Sequence, residues 1–286
     1  MKLSKRFGGS FFGAHPKKSD AQVEDTPPLI VSFTGGIGAQ ILSLAIVLDL
    51  RMQGRTFGVD LSYFDQEPFV ADPGGGVSIW PWGLDFLGYS STNVLDFAPL
   101  ASSEGELLPD SLRKLRLGVS ALSNPCVRGR FPGRLQADSF RALGVKRLPL
   151  EAPYVAFHLR RGDYLNVASH IVPESDYIQL SARLSSTLAG AVVVSDSKIS
   201  SEFRDILEER FENIEVLDGL EHNPGEVHHL LRNASIHVGS NGQFSLTAGL
   251  LSDALYLAPK RFVSGDDRMN EFLSGLSMFS AVTSES

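Results

Sequence analysis

The sequence predicts an α/β protein made of two Rossmann-like halves that meet near residue 150. Three observations carry this prediction. Short apolar runs alternate with helical spacing from residue 29 onward. The first apolar run passes into a glycine-rich turn and then into a helix. After Pro153 the same alternation starts again and continues to residue 257.

The elements follow in order. Residues 29–33 (LIVSF) read as a short buried strand. Thr34-Gly35-Gly36-Ile37-Gly38 breaks it, and 39–53 then runs with Ile41, Leu44, Ala45 and Leu48 at helical spacing, stopped by Gly54. Residues 56–61 form a second strand, which completes a strand–turn–helix–strand unit and favours a parallel sheet. Residues 65–99 are irregular and rich in Gly, Pro and aromatics, including Trp80-Pro81-Trp82. Residues 107–150 carry scattered basic residues and apolar spacing that predicts helices.

In the second half the predicted strands are 154–158, 191–195, 214–217, 235–238 and 254–257. The predicted helices are 174–188, 200–211, 224–232 and 244–251, the third with Pro224 in its first turn. The chain shows no internal repeat. The expected organisation is a basic tail over 1–28, one half over 29–150 and another over 151–286. The closing SAVTSES reads as a frayed end.

Composition limits the function. Of 286 residues, 43% are hydrophobic and 21% charged, which excludes a collagen-like or wholly disordered chain. The single cysteine, Cys126, excludes an intrachain disulfide and a cysteine-only metal site, and favours a reducing compartment. A net charge of −7 argues against general nucleic-acid binding. An anionic ligand then requires a local positive cluster. No apolar run approaches the length of roughly 18 residues that a membrane span needs. The tail carries Lys2, Lys5, Arg6, Lys17 and Lys18 around Phe7, Phe11 and Phe12. It reads either as a flexible tail or as an arm with weak affinity for a membrane surface.

Ligands of parallel α/β sheets bind beyond the C-terminal strand ends. That rule selects 34–38, 158–163, 195–197 and 239–245. The positive cluster is in the second: His158-Leu159-Arg160-Arg161-Gly162-Asp163-Tyr164. Arginine offers a rigid, permanently charged fork suited to a diphosphate. Adjacent residues on extended chain point in opposite directions. One arginine is therefore expected to face the ligand while the other anchors the loop. Asp163 is expected to hold an arginine in place, and a structural salt-bridge knot is the competing reading. The turn Gly35-Gly36-Ile37-Gly38 opens a helix whose N-terminus attracts anions, without full GxGxxG or P-loop spacing. Asp196 in Ser195-Asp196-Ser197 suits either a guanine edge or ribose, or a helix cap. Ser240-Asn241-Gly242-Gln243-Phe244-Ser245 opens another helix, where amides and hydroxyls suit either a phosphate or helix capping. Trp80-Pro81-Trp82 suits either stacking on an acceptor sugar or local packing. His228-His229 are adjacent rather than four apart, which is poor metal-ligand spacing. Asp60 stands at the distance a nicotinamide-binding Rossmann enzyme needs for its ribose carboxylate, and that reading stays open.

HLRRGDY at 158–164, GGIGAQ at 35–40, VVVSDS at 192–197 and the block at 226–262 ending in Ala-Pro-Lys-Arg-Phe together resemble glycosyltransferase family 11. These are the alpha-1,2-fucosyltransferases, within the wider GDP-fucose-dependent group. The resemblance spans roughly residues 29–262. It implies a GT-B fold, with the acceptor held by the N-terminal half and GDP-fucose by the C-terminal half. It also implies an inverting transfer that needs no metal ion and no cofactor besides the donor. On this resemblance Arg161 is the catalytic residue. His158, Arg160, Asp163, Asp196, Asn241, Phe244, Ser245, Gly35, Gly36 and Gly38 bind the nucleotide sugar. Asp163, His170 and Glu174 lie near the arginine loop, and the general base stays unassigned among them. The implied partners are GDP-fucose and an acceptor glycan, in the cytoplasm or at the inner face of a membrane. The family has Asn at the place of Ala39 and Ser-Ser at Gly242-Gln243. Those differences keep two alternatives open: transfer of another GDP-linked deoxysugar, and a non-catalytic sugar-nucleotide or glycan-binding relative.

Overall fold

A computed structural model describes residues 27–65, 80–98, 100, 105–108, 112–133, 145, 152–162, 171–184, 188–219, 222–258 and 279–281. Its strands form two wholly parallel sheets. This is the two-Rossmann α/β architecture that the alternation of elements predicts.

The first sheet contains β1 (Leu29–Ser32), β2 (Phe57–Asp60) and β3 (Glu106–Leu108), in the order β2-β1-β3. All four β1 residues are buried, as expected of a central strand with both faces covered. Helix α1 (Ile37–Met52) connects β1 to β2. It is apolar on nearly every face, the pattern of a helix packed on more than one side. The short α2 (Ser91–Leu95), then α3 (Leu112–Ser123) and α4 (Pro125–Arg128), follow among the described residues.

The second sheet contains β4 (Tyr154–Leu159), β5 (Gly190–Ser195), β6 (Ile214–Asp218), β7 (Ile236–Val238), β8 (Leu255–Ala258) and β9 (Phe279–Ala281). Its order is β6-β5-β4-β7-β8-β9, the doubly wound 3-2-1-4-5-6 pattern. The helices are α5 (Glu174–Ser181), α6 (Ser201–Arg210), α7 (Pro224–Asn233) and α8 (Gln243–Leu250). Side chains alternate across the sheet. Tyr154, Ala156, Val192 and Val194 meet Leu230 and Leu231 of α7, while Val155, Phe157, Leu159 and Val193 meet Phe203 and Leu207 of α6.

The halves share a core. Leu246, Leu250 and Leu251, at and just beyond the end of α8, and Tyr256 of β8 pack into the same cluster as Ile41, Leu44 and Leu48 of α1 and Val119 of α3. So α8 belongs to the second half by chain order and closes the core of the first.

Three local readings change. Residues 106–108 form an edge strand where helix was expected from 107. The helix from Glu174 ends at Ser181. Ser280 and Ala281, expected to be frayed, belong to β9 and pair with Leu257 and Ala258.

Candidate functional site

In the second sheet the chain reverses its winding between β4 and β7. The crevice beyond their C-terminal ends is where such sheets bind ligands. Arg160 and Arg161 follow β4, and Gly239 and Ser240 follow β7.

The register explains the next contact. Leu159 pairs with Ser195, so the residues that follow, Arg160 and Asp196, leave the sheet side by side. Asp196 Oδ1 accepts the backbone amides of Arg161 (2.7 Å) and Gly162 (3.0 Å). Its Oδ2 lies 2.9 Å from Arg160 Nη1. One carboxylate thus holds both the path of the turn and one of its guanidinium groups. A Cβ at Gly162 would come within 2.6 Å of Asp196 Oδ2, so a side chain there would displace the carboxylate.

The two arginines diverge as alternation predicts. Arg161 Nη1 donates to the Val172 carbonyl at 2.7 Å, and Nη2 lies 3.9 Å from Glu174 Oε1. Glu174 also accepts from the Ser200 amide and hydroxyl, which ties α5 to the start of α6. Arg161 is therefore the loop anchor. Arg160 points to the other half, with its Cζ 5.8 Å from the Trp80 ring centroid. The ligand role expected for Arg161 falls on a side chain held by Val172 and Glu174, while Arg160 lies between Asp196 and Trp80. The described arginine partners are Asp196 and Glu174. Asp163 and His170 lie outside the described residues.

Two helix N-termini meet where the halves join. A Cβ on Gly38 of α1 would lie 2.3 Å from the Gln243 carbonyl carbon and the Phe244 nitrogen of α8, so only glycine permits the approach. Side chains cap α2, α4, α6 and α7, namely Ser90, Asn124, Ser200 and Asn223. Pro173, at the start of α5, makes no such bond, but Glu174 and Asp176 occupy its first turn. The N-caps of α1 and α8 are Gly36 and Gly242, with no side-chain cap and no acidic residue in the first turn. Bare amides and the positive ends of two helix dipoles favour an anion at this place. Asn241, 6% exposed, sits just before α8, and its Oδ1 has no hydrogen-bond partner among the described residues.

The glycine turn is fixed from below. Gly35 takes φ +70°, the left-handed region where a Cβ is costly. The fully buried Gln40 donates to the carbonyls of Gly35 and Pro81, each at 2.9 Å, and accepts the Gly83 amide at 2.9 Å. The sequence reading quoted Gln40 within its motif and gave it no role. The two tryptophans also separate. Trp82 is a packing residue, with Phe33 and Phe64 against its ring and its Nε1 donating to the Tyr89 carbonyl. Trp80 is 37% exposed.

His158, Phe244 and Ser245 lie behind the site. His158 Nδ1 faces Ser240 Oγ at 3.0 Å, and Phe244 packs on its ring at 5.4 Å. Ser245 Oγ accepts the Ser240 amide and faces His237 Nε2, each at 3.0 Å. Burial, with nearby His237 and Arg160, holds His158 well below the usual imidazole pKa. Burial lowers His237 to about 3. These groups are neutral and brace the loop after β7 against β4. His228 and His229 are also buried. Their rings meet Phe86 of the first half at 5.8 and 5.2 Å.

Asp60 ends β2. Burial raises its pKa, but hydrogen bonds from Ser62 and Ser32, with Lys114 nearby, outweigh this and lower it overall. Its oxygens accept from Ser32 Oγ and the Ser62 amide, each at 3.0 Å, and so serve the local turn. Among the described residues no group of three His, Cys, Asp or Glu is placed to hold a metal ion, and no helix is long and apolar enough to cross a membrane.

No protein-family model and no curated protein matches the chain. Among solved structures it is similar to POFUT1 in complex with GDP, at 13% identity and TM-score 0.45, covering 79% of this chain and 94% of that one. It is also similar to E. coli ADP-heptose lps heptosyltransferase II, at 12% identity and TM-score 0.46, covering 89% and 90%. A third is the fucosyltransferase NodZ from Bradyrhizobium, at 15% identity and TM-score 0.39, covering 79% and 93%. The fold described above rests on the chain's own strand order.

Proposed function

We propose that the protein is an inverting glycosyltransferase that moves fucose from GDP-fucose to a hydroxyl of an acceptor glycan, forming an alpha-1,2 linkage to a galactoside. One observation carries the reading. Arg160, at the winding reversal of the second sheet, lies beside the Trp80 ring that packs on the uncapped N-terminus of α1, and α1 meets the uncapped N-terminus of α8 from the other half. That arrangement suits a diphosphate bound between the halves. The HLRRGDY resemblance supplies the identity of the nucleotide sugar.

In this reading the acceptor hydroxyl attacks the anomeric carbon on the face opposite GDP. The bond from that carbon to the β-phosphate oxygen breaks, and its electron pair leaves with GDP. The hydroxyl proton is released as the glycosidic bond forms. Negative charge grows on the β-phosphate, and groups already aimed at it lower the barrier. We assign the charge-stabilising role to Arg160 and the loop-anchoring role to Arg161. Asp196 orients Arg160 and shapes the turn. Asn241 and the amides at Gly36, Gly38 and Gln243 contribute polar groups to the phosphate region.

The test is a donor screen. Thermal shift with GDP, UDP, CMP and dTDP is followed by titration calorimetry and a transfer assay with GDP-fucose across galactoside acceptors. A shift with GDP alone and a fucosylated product are the expected results. Tight GDP binding with neither hydrolysis nor transfer favours a binding protein, and no response to GDP sinks the proposal.

A further inference from the structure

We infer that the Trp80 indole is the stacking face for the sugar ring of the donor, rather than for the acceptor. The inference rests on the sugar-nucleotide reading above and names a residue that meets the transferred group. Trp80 belongs to the first half but lies at the junction of both. A Cβ on Gly36 would be 3.6–3.8 Å from ring atoms Cδ2, Cε2 and Cγ, so the indole covers the N-cap of α1. The same ring faces Arg160 of the second half, 5.8 Å from its Cζ.

The placement of Trp80 is built rather than incidental. Its backbone amide donates to Tyr63 Oη at 2.9 Å, and Gln40 binds the next carbonyl in the chain, that of Pro81. Among the described residues the side chain has no ring contacts of the kind that surround Trp82. It stays 37% exposed. A large aromatic held firmly by its backbone, partly exposed beside a cation at the junction of the halves, is placed to meet a ligand.

Chemistry selects which part of the ligand it meets. If the β-phosphate lies on Arg160 at the N-terminus of α1, the next group beyond it is the sugar, joined through a single oxygen. The base lies two groups further away, across the α-phosphate and ribose. A deoxysugar presents an apolar C–H face, which suits the electron-rich face of an indole.

The test measures calorimetric affinities for GDP and for GDP-fucose with wild type, Trp80→Ala and Trp80→Phe. The alanine variant is expected to bind GDP within about twofold of wild type and GDP-fucose about tenfold more weakly, the size of one aromatic contact. The phenylalanine variant is expected to recover most of the loss. Equal losses for both ligands would place the base or the fold on Trp80 and overturn the inference, as would no loss for either. If wild type binds neither ligand, the transferase reading itself falls and takes this inference with it.

Discussion

The Gln40 side-chain amide donates to the Pro81 carbonyl at 2.9 Å, which ties the helix after the glycine turn to the segment that carries Trp80. The same side chain donates to the Gly35 carbonyl and accepts from the Gly83 amide. It is fully buried, so solvent cannot replace these bonds. Gln40→Ala is expected to destabilise the protein by roughly 3 kcal/mol. Gln40→Glu keeps the acceptor for Gly83 but turns a negative oxygen toward two carbonyls, and is expected to cost at least as much. Denaturant midpoints check both, and a Gln40→Ala variant with the wild-type midpoint would refute the staple.

Gly38 and Gly36 make a paired test of the converging helices. A methyl at Gly38 meets α8 backbone at 2.3 Å, whereas one at Gly36 meets only the Trp80 ring at 3.6 Å and a backbone φ of −74° that any residue adopts. Gly38→Ala is expected to push α1 and α8 apart, lowering both Tm and affinity for GDP. Gly36→Ala is expected to leave Tm within about 2 °C of wild type. Equal behaviour of the two variants would contradict the packing.

Much of this was legible in the sequence, and the part that was not has a common cause. Alternating apolar runs mark strands and helices because their periods are local. The four strand-end segments follow from the α/β rule once the strands are placed. The partner of Arg160 is not local. Asp196 reaches it only because β5 pairs with β4 in a register that aligns Ser195 with Leu159. Likewise the roles of Arg160 and Arg161 depend on Val172, Glu174 and Trp80, distant in sequence. Alternation predicts that the two diverge but not which faces the crevice. The equally short β7 is legible because its apolar run continues the alternation, whereas Glu106-Leu107-Leu108 and Phe279-Ser280-Ala281 stand outside it.

Asp196 separates turn shape from charge. Asp196→Asn can still accept the Arg161 and Gly162 amides through its carbonyl oxygen, but it loses the ionic contact with Arg160. It is expected to keep a near-native Tm while transfer falls by about tenfold or more. Asp196→Ala leaves two amides without an acceptor and is expected to lower stability by roughly 2–3 kcal/mol as well. Thermal melts and steady-state kinetics distinguish the two effects. If Asn and Ala behave identically in the melts, the amide contacts contribute nothing.

The buried histidines set a pH response. Burial, with Arg232 nearby, holds His229 down at about 4, against an opposing interaction with the Phe86 backbone carbonyl, and burial alone holds His237 at about 3. The unfolded chain returns both to about 6.5. Between those values the unfolded state binds more protons, so stability rises with pH. The stabilisation is complete above pH 6.5 and is lost as pH falls through about 4 for His229 and about 3 for His237. Tm is expected to drop by roughly 5–10 °C between pH 7 and pH 4.5. His229→Leu, which keeps an apolar contact for Phe86, is expected to flatten part of that slope. An unchanged slope would show that the histidine does not couple folding to pH.

The division of labour between the arginines gives the sharpest kinetic test. Arg160 faces Trp80 across the junction of the halves, and Arg161 binds the Val172 carbonyl. Arg160→Ala is expected to reduce kcat by about 10²–10³, the usual cost of removing one preorganised charge donor, with little change in Tm. Arg160→Lys is expected to rescue poorly, because an ammonium cannot reproduce the planar fork that also meets Asp196. Arg161→Ala removes the clamp on the 172–174 segment and leaves a buried carbonyl without its donor. Its first effect should therefore be on Tm, by several degrees, with a smaller fall in kcat. The reverse pattern, with Arg161→Ala silent in melts and nearly dead in turnover, would return the charge-stabilising role to Arg161.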